Sequence, residues 1–297
     1  MDINFELYKI FYHAATTGSF SIAANRLFIT QSAVSQAIKN LETRLGTQLF
    51  FRKTRHLKLT REGELLLSHV EQAYNLLKSA ESKMAELQDL QSGTIQVGAS
   101  DTICKYFLIP YLQEFNRRYP KLKMKVINRT SAQILEILKN GALDFGIVTL
   151  PLNDPLITTH VLTAVEDILV AAPHFSELRH RTLSLGDLAG YPLLFLEKTS
   201  ATRRNFDAYL SSKALSVTPE LELESVDLLV EFARIGLGIA HVQRESASTL
   251  IAAGELFEVK VEEGLPLRHL GIAALKNVPF SKAAECFIAM LMNETFT

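Results

Sequence analysis

Tryptophan is absent, and cysteine occurs only twice in 297 residues, as Cys104 and Cys286. Two distant thiols with no CxxC and no Cys/His cluster exclude a disulfide scaffold and a zinc-cysteine site, and they suit a reducing cytoplasm. No apolar run approaches the ~18 residues that a membrane span requires. The opening Met1-Asp2-Ile3-Asn4-Phe5-Glu6 carries acids and lacks a basic stretch leading into an apolar one, so no signal peptide is expected. Catalytic motifs are missing too. There is no GxSxG, HExxH, P-loop or GxGxxG, and the lone Gly236-Leu237-Gly238 precedes a strand pattern rather than a helix. The eight histidines show no metal-ligand spacing, and His13 and His69 read as helix-surface or interface residues. Asp101 and Cys104 have no base or orienting partner nearby in the sequence. An enzyme, a metal site and a cofactor are therefore not expected. A redox role for Cys104 would need a lowered pKa that nothing in the sequence signals.

Hydrophobic residues make up 47% of the chain and charged ones 21%, which excludes global disorder and supplies packed cores for about two domains. The net charge of −1 hides an asymmetry. Residues 1–65 hold nine Lys/Arg against five Asp/Glu, or +4, and the other 22 bases against 27 acids give −5. A small basic head on an acidic body suits a head that meets a polyanion.

The head reads as three helices and a hairpin. Asn4 can cap a first helix with Leu7, Ile10, Phe11, Ala14 and Ala15 on one face, stopped by Gly18. Ser19 or Ser21 caps a short second helix from Ile22 to Leu27. After a turn at Phe28-Ile29, Thr30 caps a third helix that Gly46 ends. On that helix Val34, Ala37, Ile38, Leu41 and Leu45 share one face, and Gln31, Ser32, Ser35, Gln36 and Lys39 share the other. Short hydroxyl and amide side chains at the start of the second helix of a tight pair are what entry into a major groove requires. The segment from Leu49 to Thr60 then reads as a two-stranded wing with a basic tip. The alternative is a three-helix bundle whose polar face is merely solvated.

Beyond the wing, Leu59, Gly63, Leu66, Val70, Ala73, Leu77, Ala80, Met84 and Leu87 alternate steps of four and three. This 3.5-residue period marks a helix–helix seam, with a helix packed on its own domain as the alternative. Two copies paired along such a seam would hold their recognition helices at fixed spacing.

From Thr94 onward strand and helix patterns alternate. Strands are expected at 94–100, 122–128 and 144–149 with helices at 103–119 and 131–140. A second set follows, with strands at 167–172, 193–196, 220–224 and 239–242 and helices at 201–213 and 226–235. A strand at 269–275 and a helix at 281–292 should return to the first lobe. Parallel sheets with helices on their faces are expected. Ligands of such sheets sit at strand C-terminal ends beside helix N-termini. There the sequence places Ser100, Asp101, Thr102, Thr130, Ser131, Thr149, Ser200, Thr202 and Ser225. Any one of these is explained as a helix cap, but together they suit a cleft for a small anion or polar metabolite.

The stretch Ala23-Ala24-Asn25-Arg26-Leu27-Phe28-Ile29-Thr30-Gln31-Ser32-Ala33-Val34-Ser35-Gln36-Ala37-Ile38-Lys39-Asn40-Leu41-Glu42, continuing through Leu45-Gly46 and Leu49-Phe50-Phe51-Arg52, resembles the winged helix-turn-helix of LysR-type transcriptional regulators. Leu59-Thr60-Arg61-Glu62-Gly63 resembles that family's entrance to its linker helix. Ala33 departs from the proline that many members carry there, and it is an equally good helix former. The stretch from Thr199 to Arg204 resembles the family's Ser-Gly-Thr-Arg-Arg motif with Ala201 in place of glycine.

The resemblance implies an α+β two-part protein. Residues 1–59 would form the DNA-binding domain, 60–91 a linker and dimerisation helix, and 92–297 a two-lobed effector domain similar to periplasmic solute-binding proteins. Lobe I would take about 92–162 and 267–297, and lobe II about 163–266. It further implies a cytoplasmic transcription regulator without a cofactor, controlled by a small-molecule effector. Its partners would be promoter DNA, a second copy of itself in dimers and tetramers, and RNA polymerase. Gln31, Ser32, Ser35 and Gln36 would read bases; Thr30, Lys39, Arg52, Arg55 and Arg61 would hold phosphates. Leu66, Val70, Ala73, Leu77, Ala80, Met84 and Leu87 would dimerise. Ser100, Thr102, Thr149 and Thr202 match positions where members contact effectors. Two other readings stay open: a solute-binding protein with an N-terminal docking module, and an enzyme on the α/β unit.

Overall fold

The computed structural model describes residues 3–51, 57–88 and 93–293. The chain forms two compact units, the first made mainly by residues up to Met84 and the second mainly by those after it.

The first unit holds α1 (Phe5–Thr17), α2 (Phe20–Leu27), α3 (Gln31–Leu45) and most of α4 (Arg61–Gln88). Each of the first three starts on the side chain of a polar cap. Asn4 accepts from the Glu6 amide, Ser19 from Ile22 and Thr30 from Ala33, and each such cap stabilises by about 1 kcal/mol. Because Ser19 rather than Ser21 is the cap, α2 begins at Phe20, two residues before the expected start. Gly18 and Gly46 close α1 and α3 in left-handed conformations at φ 62° and 72°, which glycine adopts without steric cost. Phe11, Ala14, Ala23, Val34 and Leu41 are fully buried in a core closed by Leu49, Phe50 and Val70. The wing is described only at its base, where Phe50 bridges Leu59 antiparallel and the Phe51 amide donates to the Lys58 carbonyl.

The second unit follows as β1 (Thr94–Ala99), α5 (Asp101–Ile103), a π turn (Cys104–Leu108), α6 (Ile109–Arg118), β2 (Lys123–Asn128), α7 (Ser131–Lys139), β3 (Phe145–Leu150), β4 (Ile157–Val165), β5 (Asp167–Ala171), β6 (Thr182–Leu183), β7 (Leu193–Leu196), α8 (Ala201–Ser212), β8 (Leu221–Leu223), α9 (Val226–Arg234), β9 (Ile239–Gln243), α10 (Arg244–Ala252), β10 (Phe257–Val261), β11 (Arg268–Leu275) and α11 (Lys282–Asn293). The strands make two sheets, in the orders β2-β1-β3-β11-β4 and β6-β10-β5-β9-β7-β8.

The sheets are mixed, not parallel throughout as expected. β1 runs parallel to β2 and β3, and β7 parallel to β8 and β9. β11 returns antiparallel between β3 and β4, and β5 lies antiparallel to β9 and β10. The chain crosses between lobes twice, at Glu166 and over 262–267, and each time the strand it enters, β5 or β11, runs antiparallel to its neighbours in the new sheet. β4 and β10 were not anticipated. β4 is an edge strand whose Thr158, Thr159, His160 and Thr163 face outward or sit half-buried, so its sequence lacks an apolar run. It stays paired to β11 as far as Val165, so the first lobe's sheet ends three residues later than expected.

Candidate functional site

Two surfaces carry the residues singled out in the sequence. The first is the outer face of α3. Val34, Ile38 and Leu41 bury the inner face, stabilising by roughly 1.5–3 kcal/mol each. Gln31, Ser32, Ser35, Gln36 and Lys39 are all exposed on the other side. The Thr30 hydroxyl caps the helix and lies 2.9 Å from the Ser32 hydroxyl, so these two act as a pair. Glu42, nearly buried near the far end of α3, accepts hydrogen bonds from the Leu49 and Phe50 amides and ties the wing's base to the helix. Arg61 is exposed at the first residue of α4. Arg52 and Arg55 lie outside the described residues.

The seam on α4 needs a correction. Leu66 and Val70 pack into the first unit's own core, and a Cβ at Gly63 would collide with the Leu49 carbonyl oxygen. The close approach that Gly63 permits is therefore within one chain, and Val70 with part of Leu66 is already taken up by that chain's own core. Tyr74 likewise stacks on Tyr12 at 4.4 Å. Leu77, Ala80 and Met84 remain exposed, at spacings of three and four, and Ala73 is half-buried. The Leu87 side chain lies outside the described residues.

The second surface is a cleft of about 610 Å3 between the two lobes. All nine positions expected there line it: Ser100, Asp101, Thr102, Thr130, Ser131, Thr149, Ser200, Thr202 and Ser225. Their hydroxyls differ in state. Ser225 caps α9, Thr130 accepts from the Gln133 amide, and Ser131 accepts from the Thr149 amide. The side chains of Ser100, Thr102, Ser200 and Thr202 make no hydrogen bond with any described residue, although Ser100 and Ser200 stand at cap positions. Ala201 is the first helical residue of α8, a conformation any residue adopts, so the absent glycine distorts nothing there. Arg203 is buried and holds the start of α8 through Asp207, Glu222 and the Leu196 carbonyl.

Sequence reasoning missed the cleft's floor. Buried Arg268 forks onto Asp167 at 2.9 and 2.8 Å and donates to the Thr149 hydroxyl at 3.2 Å, with the Gln243 side-chain oxygen at 3.4 Å. Burial would raise the Asp167 carboxyl, but the Arg268 guanidinium outweighs it and holds that carboxyl below its usual range. Also missed were Asn128, Arg129, Glu197 and Glu224 on the rim. A latch joins the lobes where the Tyr106 hydroxyl and the Lys105 ammonium donate to Asp227 at 2.6 and 2.8 Å. The π turn that carries this pair widens the helix there, a common device at functional sites. Burial, with Asp101 adding to it, pushes the Cys104 thiol up to about 11 and so removes the thiolate that redox sensing would use.

Residues 5–64 match the family described as bacterial regulatory helix-turn-helix protein, lysR family, and residues 88–295 match the LysR substrate binding domain. The chain belongs to the LysR family. It is a DNA-binding transcriptional regulator with a small-molecule effector domain. The regulator is 29% identical to the HTH-type transcriptional activator CmpR of Synechocystis over 96% of its own length and 93% of the relative's. It is 30% identical to the transcriptional regulator CbbR of Rhodospirillum rubrum, over 93% and 95%. Its fold resembles a full-length OxyR variant of Pseudomonas aeruginosa with a TM-score of 0.74 at 19% identity, over 99% and 96% of the two chains. The effector-binding domain of QuiR, solved in complex with shikimate, aligns with a TM-score of 0.61 at 22% identity, over 68% of this chain and 96% of that one. Among the described residues no helix is long and apolar enough to cross a membrane.

Proposed function

We propose that the regulator reads operator DNA with the N-terminal half of α3 and is switched by a small polar molecule in the interlobe cleft. Residues 1–59 serve as the DNA-binding part, 60–91 as the linker and 92–297 as the effector domain. Gln31, Ser32, Ser35 and Gln36 read base edges, and Thr30, Lys39 and Arg61, with Arg52 and Arg55 of the wing, grip phosphates. Ala73, Leu77, Ala80 and Met84 pair two copies. Exposed Ile109, Val126, Leu228 and Ile235 supply apolar surface for the further contacts of a tetramer. RNA polymerase is the partner this reading calls for at the promoter.

The observation that carries the cleft reading is the set of four hydroxyls, two per lobe, that line one cavity without a hydrogen-bond partner among the described residues. The N-termini of α7, α8 and α9 open on the same cavity and favour a carboxylate or similar oxyanion. Asp101, Glu197 and Glu224 outnumber Arg129 on the rim, whose guanidinium donates to the Asn128 carbonyl at 2.7 Å, and this disfavours a polyanion and leaves room for a hydroxyl or amino group. Such a ligand shifts the lobes' equilibrium only by its differential affinity for their arrangements.

A thermal-shift screen of hydroxy acids, amino acids and sugar monophosphates on the full chain tests this. A stabilising compound should lose its effect in the Thr102→Val/Thr202→Val double variant, and an undiminished shift there would refute the cleft as its site. For the head, operator affinity should fall by about 0.9 log unit per log unit of salt for each phosphate neutralised. A flat salt response would rule out the phosphate roles.

A further inference from the structure

A second cavity, of about 620 Å3, lies beside the crossover at 262–267 and shares only Arg268 with the cleft. We propose that it is a second small-molecule site, for a neutral aromatic molecule bearing one N–H or O–H group. Its volume falls within the roughly 300–1,000 Å3 of small-ligand pockets. Its walls are mainly apolar, from Leu150, Val161, Tyr209 and Leu267, and Val161 and Leu267 are each 61% exposed for want of cover.

Thr159, Asn205, Tyr209 and His269 also line it, but the most deeply buried polar side chain on its wall is His241. Its ring lies flat on Phe206, 4.0 Å between centroids and 12° between planes, and is 3% exposed. No described residue hydrogen-bonds to its nitrogens, yet it lines this cavity. Buried polar groups ordinarily have partners, so an unpartnered imidazole facing a roomy cavity marks a place for one. Burial pushes His241 down to about 4, so near neutral pH it is uncharged and offers one donor and one acceptor. The charged groups beside it, Asp167 and Arg268, neutralise each other at 2.8 Å. Among the lining residues only exposed His269, away from the buried floor, could meet a ligand's charge, and a carboxylate beside His241 would face Asp167. The occupant is therefore neutral, with a flat apolar body for the walls and one donor for the imidazole.

Indole is a suitable probe, because a chain without tryptophan leaves its emission unobscured. With the full-length protein, indole should bind saturably with blue-shifted, polarised emission, and benzoate should not displace it. His241→Phe keeps the ring stack, removes the acceptor and should weaken binding about tenfold. Ala208→Phe, at an exposed position on the rim, should block entry without disturbing the core. Thr202→Val, in the cleft, should leave indole binding intact, which separates this site from the one proposed for the effector. Absence of saturable binding, equal affinity in the His241 and Ala208 variants, or loss of binding in the Thr202 variant would each overturn the proposal.

Discussion

The head and the effector domain place function in opposite ways. In the head, the residues proposed to read bases lie within one helix whose cap is Thr30, and three buried residues of that helix, Val34, Ile38 and Leu41, hold that polar face in place. In the effector domain the cleft gathers residues from 100 to 268, and its floor depends on one ion pair, Arg268 with Asp167, 101 positions apart. Local periodicity secures the first arrangement. Long-range bonds in a buried setting secure the second, so single substitutions should act very differently in the two regions.

The largest expected effect is at Arg268. Arg268→Ala leaves the Asp167 carboxylate buried without a partner and should cost about 3–5 kcal/mol in chemical denaturation. A loss below about 1 kcal/mol would show that the effector domain does not hinge on this pair. Acid should then separate the buried groups. Because His241 is held at about 4 against its ordinary 6.5, the unfolded chain takes up its proton first. Stability should fall as pH drops from about 6.5 to 4, by at most about 1.4 kcal/mol per pH unit from this group. The nearby Asp207 and Arg203 act on it more weakly than burial, Asp167 and Arg268. Asp167 is lowered, so its contribution is complete above 3.8 and is lost only as pH falls through its depressed value. Unfolding curves of His241→Phe should be flatter between pH 6.5 and 4 and unchanged below.

In the head, Gly63→Ala pushes α4 off the Leu49 carbonyl and should cost about 1–3 kcal/mol by overpacking. If a domain-resolved calorimetric scan shows no shift in the head's transition, the head does not depend on that contact. The smallest effect on folding should come from Gln36→Ala, within about 0.5 kcal/mol for an exposed site. Discrimination against a substituted base should nevertheless drop by about 1–3 kcal/mol in competition binding. Equal weakening on all DNA would reassign Gln36 to the backbone.

Legibility followed the same division. Thr30, Gln31 and Gly46 announce a capped helix because caps and left-handed stops act within a turn of the chain. The nine cleft positions were readable because strand ends and helix starts leave a local mark. Arg268 was not, since nothing around Leu267-Arg268-His269 signals Asp167 or Thr149. β4 escaped because an edge strand needs no apolar run. Leu66 and Val70 were misassigned in part for a related reason. A 3.5-residue period shows that a face is covered, but the same pattern fits a partner chain and the chain's own core.

The order of residues alone determined most of the helices and their caps, the basic-head and acidic-body division and the hydroxyl-bearing loops, because each rests on interactions between near neighbours. Tertiary structure decided which apolar face was already occupied, the antiparallel return of β11 that puts Arg268 under the cleft, and the placing of His241 against Phe206 without a hydrogen-bond partner among the described residues. Those outcomes depend on contacts between distant segments, which only the folded chain brings within reach of one another.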